Sequence, residues 1–364
     1  MSSLIRAQVS AAALRGNLAR IREVAAGKRV MAIIKANAYG HGLVATAHCL
    51  EGADAFGVAR IEEAVALRDA HIDAPIVLLE GVFSSGQLAM AAHLRFDVVV
   101  HEAEQLALLE AAAVGQRLVA WLKVDTGMNR LGFRPEQFED ALARLAAVPG
   151  VVGEIRLLTH FACADERDSP MTGAQISRFA QLVGSKQGRR GLATSLANSA
   201  AVFSQPAAHG DWVRPGLALY GVAPFAGETG ASLGLVPAMR LVSTVISLRD
   251  VPLGETVGYG AAWRAQRDSR IAIVAAGYGD GLLRSLTAGS PVLIKGQEFP
   301  LAGRVSMDMI GVDVTAARGA GIAVGDQCIL WGPELPVEMV AQRAGTIPYE
   351  LLCAISQRVP ISAG

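Results

Sequence analysis

Between Arg29 and Gly221, short apolar, β-branched runs alternate with stretches whose apolar residues recur at helical spacing. The runs are RVMAIIKA from Arg29, AFGVA over Ala55–Ala59, PIVLLE over Pro75–Glu80 and FDVVVH over Phe96–His101. Then come RLVAWLKVD over Arg117–Asp125, GEIRLLTHF over Gly153–Phe161, LATSLANS over Leu192–Ser199 and VRPGLALYG over Val213–Gly221. Helical segments such as IEEAVALRDA, QLAMAAHL, AEQLALLEAAA and FEDALARLAAV lie between them. Two helix starts carry a capping-box pattern, Ser84 with Gln87 and Thr172 with Gln175. Strands apolar throughout are buried on both faces, the habit of parallel sheets. The alternation predicts an α/β fold, a parallel (β/α)8 TIM-like barrel, with a doubly wound open sheet as the alternative.

The pattern changes after Gly227–Pro237 (GETGASLGLVP), a Gly/Ser/Thr-rich stretch that reads as a linker. RLVSTVISLRDV, SRIAIVAAG, SPVLIKG, RVSMDMIGVDV and DQCILWG follow as strands separated by Gly, Pro and Asp turns. They predict a mostly-β, antiparallel domain over 231–364 behind a barrel over 1–230. Two short helices close the chain, one over Glu338–Ala344 and one starting at Pro348, a residue suited to a first turn. No internal repeat is present.

Composition excludes several classes. Lys plus Arg and Asp plus Glu number 33 each, so no net field recruits nucleic acid or an anionic membrane. No apolar run reaches the ~18 residues of a membrane helix, and MSSLIRAQVS lacks a signal-peptide core. The expected location is the cytoplasm. Cys49, Cys163, Cys328 and Cys353 form no CxxC pair and read as structural thiols of a reducing compartment.

Barrel active sites lie at the carboxyl ends of strands, with phosphate sites commonly after the seventh and eighth. Here those ends carry Lys35, then Lys123-Val-Asp-Thr-Gly with Arg130, His160, Asn198-Ser199 and Arg214-Pro-Gly216-Leu217. A lysine ending a buried strand is poorly hydrated, which favours the neutral amine needed to condense with an aldehyde cofactor; its ordinary fate is to reach past the rim into solvent. The Gly-rich AGYGDG fails the dinucleotide spacing because Leu282 takes the third glycine position. His101-Glu102 begins like a zinc HExxH, but Gln105 replaces the second histidine. No metal is expected.

The segments AIIKANAYGHG, LKVDTGMNRLGF, THFACADE, ANSAA, VRPGLALYG, VGYG, AGYGDG, GRVSMD and PYE occur in the order found in bacterial alanine racemases. The chain resembles that family over nearly its whole length. The resemblance implies an isomerase that interconverts L- and D-alanine with pyridoxal 5'-phosphate (PLP), for D-alanine supply to peptidoglycan or for D-alanine catabolism. Lys35 would carry the cofactor and act as one base, and Tyr259 would be the opposite base. Arg214 would face the pyridine nitrogen and His160 would pack on the ring. Ser199, Gly216, Leu217 and Tyr349 would hold the phosphate beside Asn198, while Tyr39 helps fix the cofactor. Arg130 would contact the phenolic oxygen and the substrate carboxylate, which the amide of Met307, next to Asp308, would also reach. Tyr278 would line the entrance, with Asp165, Arg284 and Arg304 further out. Lys123 would be carbamylated and face Arg130, the alternative being an unmodified Lys paired with a nearby carboxylate such as Asp125. The family further implies a homodimer in which Tyr259 of one chain meets Lys35 of the other.

Without the resemblance, Tyr259 reads as a packed strand residue and His160 as a core histidine. Lys123 and Arg130 read as surface charges, and Met307 and Asp308 as turn residues. Two positions depart from the family: Ser195 stands where some members carry His near the ring-bound Arg, and Ser306 where others have Cys. A broader amino-acid racemase, a non-catalytic PLP carrier and a fold-related decarboxylase are the competing functions. The domain carrying Tyr259 argues against the carrier, and the lack of an evident Cys-Asp acid arrangement against the decarboxylase.

Overall fold

The computed structural model describes residues 3–112, 117–184, 191–317 and 321–364. After β1 (Arg6–Val9), the apolar runs become β2 (Arg29–Ile33), β3 (Ala55–Val58), β4 (Ile76–Leu78), β5 (Phe96–Val100), β6 (Leu118–Lys123), β7 (Val152–Leu158), β8 (Thr194–Asn198) and β9 (Trp212–Arg214). Each pairs in parallel with the next, and β9 returns to β2 through Arg29 opposite Trp212, closing the barrel. Closure removes the open-sheet alternative. The last run is strand only to Arg214; Pro215 has no N–H to continue the ladder, and Leu217–Tyr220 coils into a 3₁₀ turn.

Side chains alternate across each strand, so residues two apart share a face. Lys123 and Arg214 reach the upper cavity; Trp121 and Trp212, two residues earlier, form the layer below. Their rings meet edge to face at 5.7 Å across the barrel, with the Arg156 guanidinium 5.1 and 5.2 Å from them. Asp97 accepts from the Trp121 indole at 3.1 Å and from Arg156 at 3.4 Å. Burial raises its carboxyl to about 6. This layer fills the barrel beneath the site.

The Ser84 cap forms as expected: its hydroxyl accepts from Gln87 N at 3.2 Å, while Gln87 turns back to Phe83 N at 2.8 Å. The Thr172 box does not. That helix starts at Pro170, so Thr172 lies within it and is buried. Gln175 is used instead to tie rim loops, donating to Thr126 Oγ1 at 3.1 Å and His160 O at 3.0 Å.

The second unit contains β10 (Met239–Val251), β11 (Thr256–Val257), β12 (Trp263–Arg264), β13 (Ser269–Val274), β14 (Pro291–Ile294), β15 (Gln297–Ala302), β16 (Ile310–Asp313), β17 (Gln327–Trp331) and β18 (Ile361–Ala363). Its main sheet runs β13-β16-β15-β14-β17-β10-β1-β18, and the long β10 also pairs with β13. All pairs are antiparallel except β1 with β18. Strand β1, grouped by the sequence pattern with the barrel half, thus hydrogen-bonds in the second sheet. The helices Val337–Ala344 and Pro348–Cys353 fall where the pattern puts them. The segment Gly227–Pro237 is a fastened crossing rather than a free linker. Asn17 holds both polar groups of Val236 at 2.8 Å, and Glu338 accepts from Ala223 N at 3.0 Å and Gly230 N at 2.9 Å.

Candidate active site

The carboxyl ends of the barrel strands enclose a cavity of about 600 Å³. Lys35 enters it just past β2. The chain then makes a left-handed turn, with φ of 53° at Ala36, Asn37 and Ala38 and 50° at Tyr39. Non-glycine residues pay about 1–2 kcal/mol each for that conformation, so the surroundings must impose it. Glu63 does so from one side, accepting from Ala36 N at 2.6 Å and Ala59 N at 3.0 Å. Asn37 Oδ1 accepts from Leu43 N at 2.9 Å and starts the next helix.

The turn sets the Tyr39 phenol against Gly216, where a Cβ would stand 2.6 Å from the hydroxyl oxygen. Ser199 Oγ accepts from Gly216 N at 2.9 Å and Ala218 N at 3.2 Å, which aims its own proton elsewhere. Asn198 caps the helix that starts at Ser199, accepting from Ala201 N at 3.0 Å. Tyr349 packs its ring 5.7 Å from that of Tyr39. Burial pushes the Tyr39 phenol well above its ordinary range and Tyr349 up to about 12, so both remain hydrogen-bond donors.

Opposite stand the cations. Arg214 is buried and donates to Ser195 Oγ at 2.7 Å, Thr159 O at 2.6 Å and Leu196 O at 3.2 Å. Ser195 is itself fixed by donating to Trp212 O at 2.8 Å. Burial lowers Arg214 to about 10, which leaves it charged at neutral pH. His160 Nδ1 accepts from Arg214 at 3.3 Å. Burial, then the Arg214 charge, drives His160 well below its ordinary range, so it is neutral. Lys123 is also buried, and burial followed by Arg214 and Arg130 lowers it to about 8. Asp125 does not pair with it; that carboxylate accepts from Gly127 N at 2.8 Å and Asn129 N at 3.1 Å, shaping the loop that presents Arg130.

The cavity wall therefore brings together Lys35, Tyr39, Lys123, Arg130, His160, Asn198, Ser199, Arg214, Gly216, Leu217 and Tyr349. Asp165 lines an adjoining space of about 300 Å³ that shares Leu217, Ile347 and Tyr349. Tyr259, Tyr278, Arg284, Arg304, Met307 and Asp308 lie on the exposed surface of the second unit and form no part of that wall.

The family model for the alanine racemase N-terminal domain matches residues 9–224, and that for the alanine racemase C-terminal domain matches 238–363. The chain belongs to the alanine racemase family. It is 49% identical over 361 residues to the alanine racemase of Shewanella sediminis and 48% identical to that of Shewanella baltica strain OS223, covering 99% of each chain. It is similar to the solved biosynthetic alanine racemase from Pseudomonas aeruginosa, with TM-score 0.95, 46% identity and full coverage of both chains. The Acinetobacter baumannii alanine racemase gives TM-score 0.93 at 37% identity, again over both chains in full.

Sequence reasoning missed several wall residues of this family member, among them Leu79, Glu80, Leu131, Ile347 and Cys353. Leu79 and Glu80 were within reach, because they end the third apolar run. Cys353, expected to be an inert structural thiol, instead lines the cavity and is exposed. Ile347 comes from the distant second unit.

Proposed function

We propose that this alanine racemase family member binds PLP in the barrel cavity and racemises alanine between Lys35 and Tyr259, the latter supplied by a partner subunit. The observation that carries the reading is the single cavity in which Lys35, Arg214, His160 and the Tyr39–Ser199–Gly216–Tyr349 group converge. The family is PLP-dependent, and the residues fit that molecule. Its phosphate suits the donor set of Tyr39, Ser199, Tyr349 and the backbone N–H of Leu217, where the absence of a Cβ at Gly216 leaves room. Lys35 suits the aldehyde, Arg214 the ring nitrogen and Arg130 the phenolic oxygen.

When bound, PLP draws off the negative charge left at Cα as its proton departs. A guanidinium at the ring nitrogen donates a hydrogen bond without giving up its proton. That moderates the electron withdrawal and favours return of the proton to Cα over side reactions. Inversion then needs one base on each face of Cα. Lys35 supplies one from the barrel. Tyr259, 70% exposed and absent from its own chain's cavity wall, would supply the other to a second copy. Met307, 53% exposed, would offer its amide to the substrate carboxylate, beside Asp308, with Tyr278, Arg284 and Arg304 around the approach and Asp165 on the barrel side.

Gly216→Ala is expected to weaken PLP binding by about tenfold or more while the fold persists, because the tight contacts of the new Cβ are confined to the outer end of the Tyr39 ring, 2.6 Å from its hydroxyl oxygen and 3.1 Å from Cζ. Titration of the PLP-free chain followed by absorbance measures it. Unchanged affinity removes Gly216 from the phosphate seat.

Lys123 is proposed to carry a carbamate. Its folded value near 8 lies below the ordinary 10.5. A bare amine there costs stability below about pH 8, and the cost is relieved as pH rises from 8 toward 10.5, where the unfolded chain holds more protons. Capture of carbon dioxide by the neutral amine releases a proton and leaves an anion facing Arg130. Lys123→Ala should lose roughly 10²-fold in activity and regain part of it with short carboxylates or chloride. An intact mass in bicarbonate that lacks one added carbon dioxide would end this assignment.

The expected setting is a cytoplasmic homodimer acting on a small molecule. Among the described residues no helix is long and apolar enough to cross a membrane. Release of deuterium from Cα-labelled L-alanine, together with appearance of D-alanine and no carbon dioxide, is the expected result. Carbon dioxide evolution points to the decarboxylase, and no exchange to a PLP carrier. Equal exchange with serine or larger side chains would mark a broad racemase.

A further inference from the structure

His41 is fully enclosed directly after the left-handed turn, and the chemistry above does not use it. Its Nδ1 stands 3.1 Å from Ala38 O and 2.9 Å from Tyr39 O. Carbonyls only accept, so Nδ1 carries the proton. Burial lowers the ring to about 4 and keeps it neutral, leaving Nε2 as a bare acceptor. Nε2 is buried without a partner, and so is the indole Nε1 of Trp331, the last residue of β17. Nε1 can only donate. Both side chains line one cavity of about 10 Å³, together with Tyr220, on which the imidazole stacks at 4.4 Å. That space is about the size of one water, and it offers that water one acceptor and one donor.

We propose that His41 is a positioning residue for Lys35 and Tyr39: its Nδ1–H locks the carbonyl side of the left-handed turn, and one buried water, donating to Nε2 and accepting from Trp331 Nε1, ties the turn to the second sheet. The turn needs such a lock. Glu63 holds its N–H side at Ala36 and Asn37 ties it forward to Leu43 N, while His41 supplies a side-chain donor to its last two carbonyls. Stacking fixes the ring in turn, because Tyr220 is anchored by its hydroxyl to Ile33 O at 3.0 Å, at the end of β2. The barrel seat of Lys35 is thereby referenced to the sheet whose unit carries Tyr259. The inference rests on the assignment of Lys35 and Tyr39 above; its first readout, on the full chain without PLP, does not.

His41→Asn keeps an N–H at the place of Nδ1, whereas His41→Leu has nearly the same volume and none. Hydrogen exchange of the backbone over residues 35–42 is expected to quicken about tenfold in His41→Leu and to return toward wild type in His41→Asn. PLP affinity and kcat should follow the same order, with KM for alanine changing less. Trp331→Phe should quicken exchange over the same residues by a smaller factor, and a high-resolution crystal structure should show an ordered water at Nε2. Equal behaviour of the Asn and Leu variants, whether both like wild type or both unfolded, overturns the lock. Exchange untouched by Trp331→Phe, or a dry cavity, overturns the bridge. Exchange that responds while PLP binding does not overturns positioning and locates the failure in the assignment of Lys35.

Discussion

Replacement of Lys35 by Ala is expected to abolish racemisation, by at least roughly 10⁴-fold, while the chain stays folded. Lys35 is half-buried at the mouth of β2, and the strand's pairings with β3 and β9 do not involve its side chain. The loss has two sources: the covalent hold on the cofactor and the base on one face of Cα. Absorbance should change from that of lysine-bound PLP to that of the free aldehyde, and borohydride should no longer fix PLP to the chain. Lys123, the other cavity amine, is the built-in control. Borohydride trapping on Lys123 in the variant, with activity kept, would transfer the role to that residue.

Tyr259→Phe should leave PLP bound and cripple Cα-proton abstraction from one alanine enantiomer by roughly 10²–10⁴-fold, with a smaller loss for the other. The asymmetry follows from the geometry, since each base serves one face. Equal, modest losses for both enantiomers would make Tyr259 a packing residue. The same variant tests where the tyrosine comes from. Mixed Lys35→Ala and Tyr259→Phe chains, each nearly inactive, should recover about a quarter of wild-type activity. Half of randomly formed dimers are mixed, and one site of each then holds both bases. No recovery after subunit exchange would place both bases in one chain.

Much of this was readable in the residues. The barrel strands declared themselves because parallel strands, buried on both faces, must be apolar throughout. The strand-end rule then located Lys35, Lys123, His160, Ser199 and Arg214 without reference to their mutual distances. Other features left no local trace. Strand β15 carries Pro300, Gln297 and Glu298, so it looks like a turn until β14 and β16 pair with it. Thr172 and Gln175 have capping-box spacing, yet Gln175 is worth more tying the Thr126 and His160 loops together. The Ser195 support of Arg214 spans two strands and has no motif of its own.

By itself the sequence determined the alternation of strand and helix in the barrel, the two-unit order and the identity of the groups at the barrel rim, because periodicity and strand-end position are properties of neighbours along the chain. Only the tertiary structure decided which of those groups share a cavity, since convergence depends on closure of β9 onto β2. It alone placed Arg6–Val9 in the distant sheet, where four residues gain partners from β10 and β18 rather than from anything nearby in sequence. It alone showed the left-handed path behind Lys35, a conformation that Ala36, Asn37, Ala38 and Tyr39 do not favour and that contacts from Glu63 and His41 impose. And it left Tyr259 exposed and outside the cavity wall while Ile347, Tyr349 and Cys353 of the same second unit line it, because the Ile347–Cys353 segment, and not the turn between β11 and β12, is the part of that unit packed on the barrel mouth.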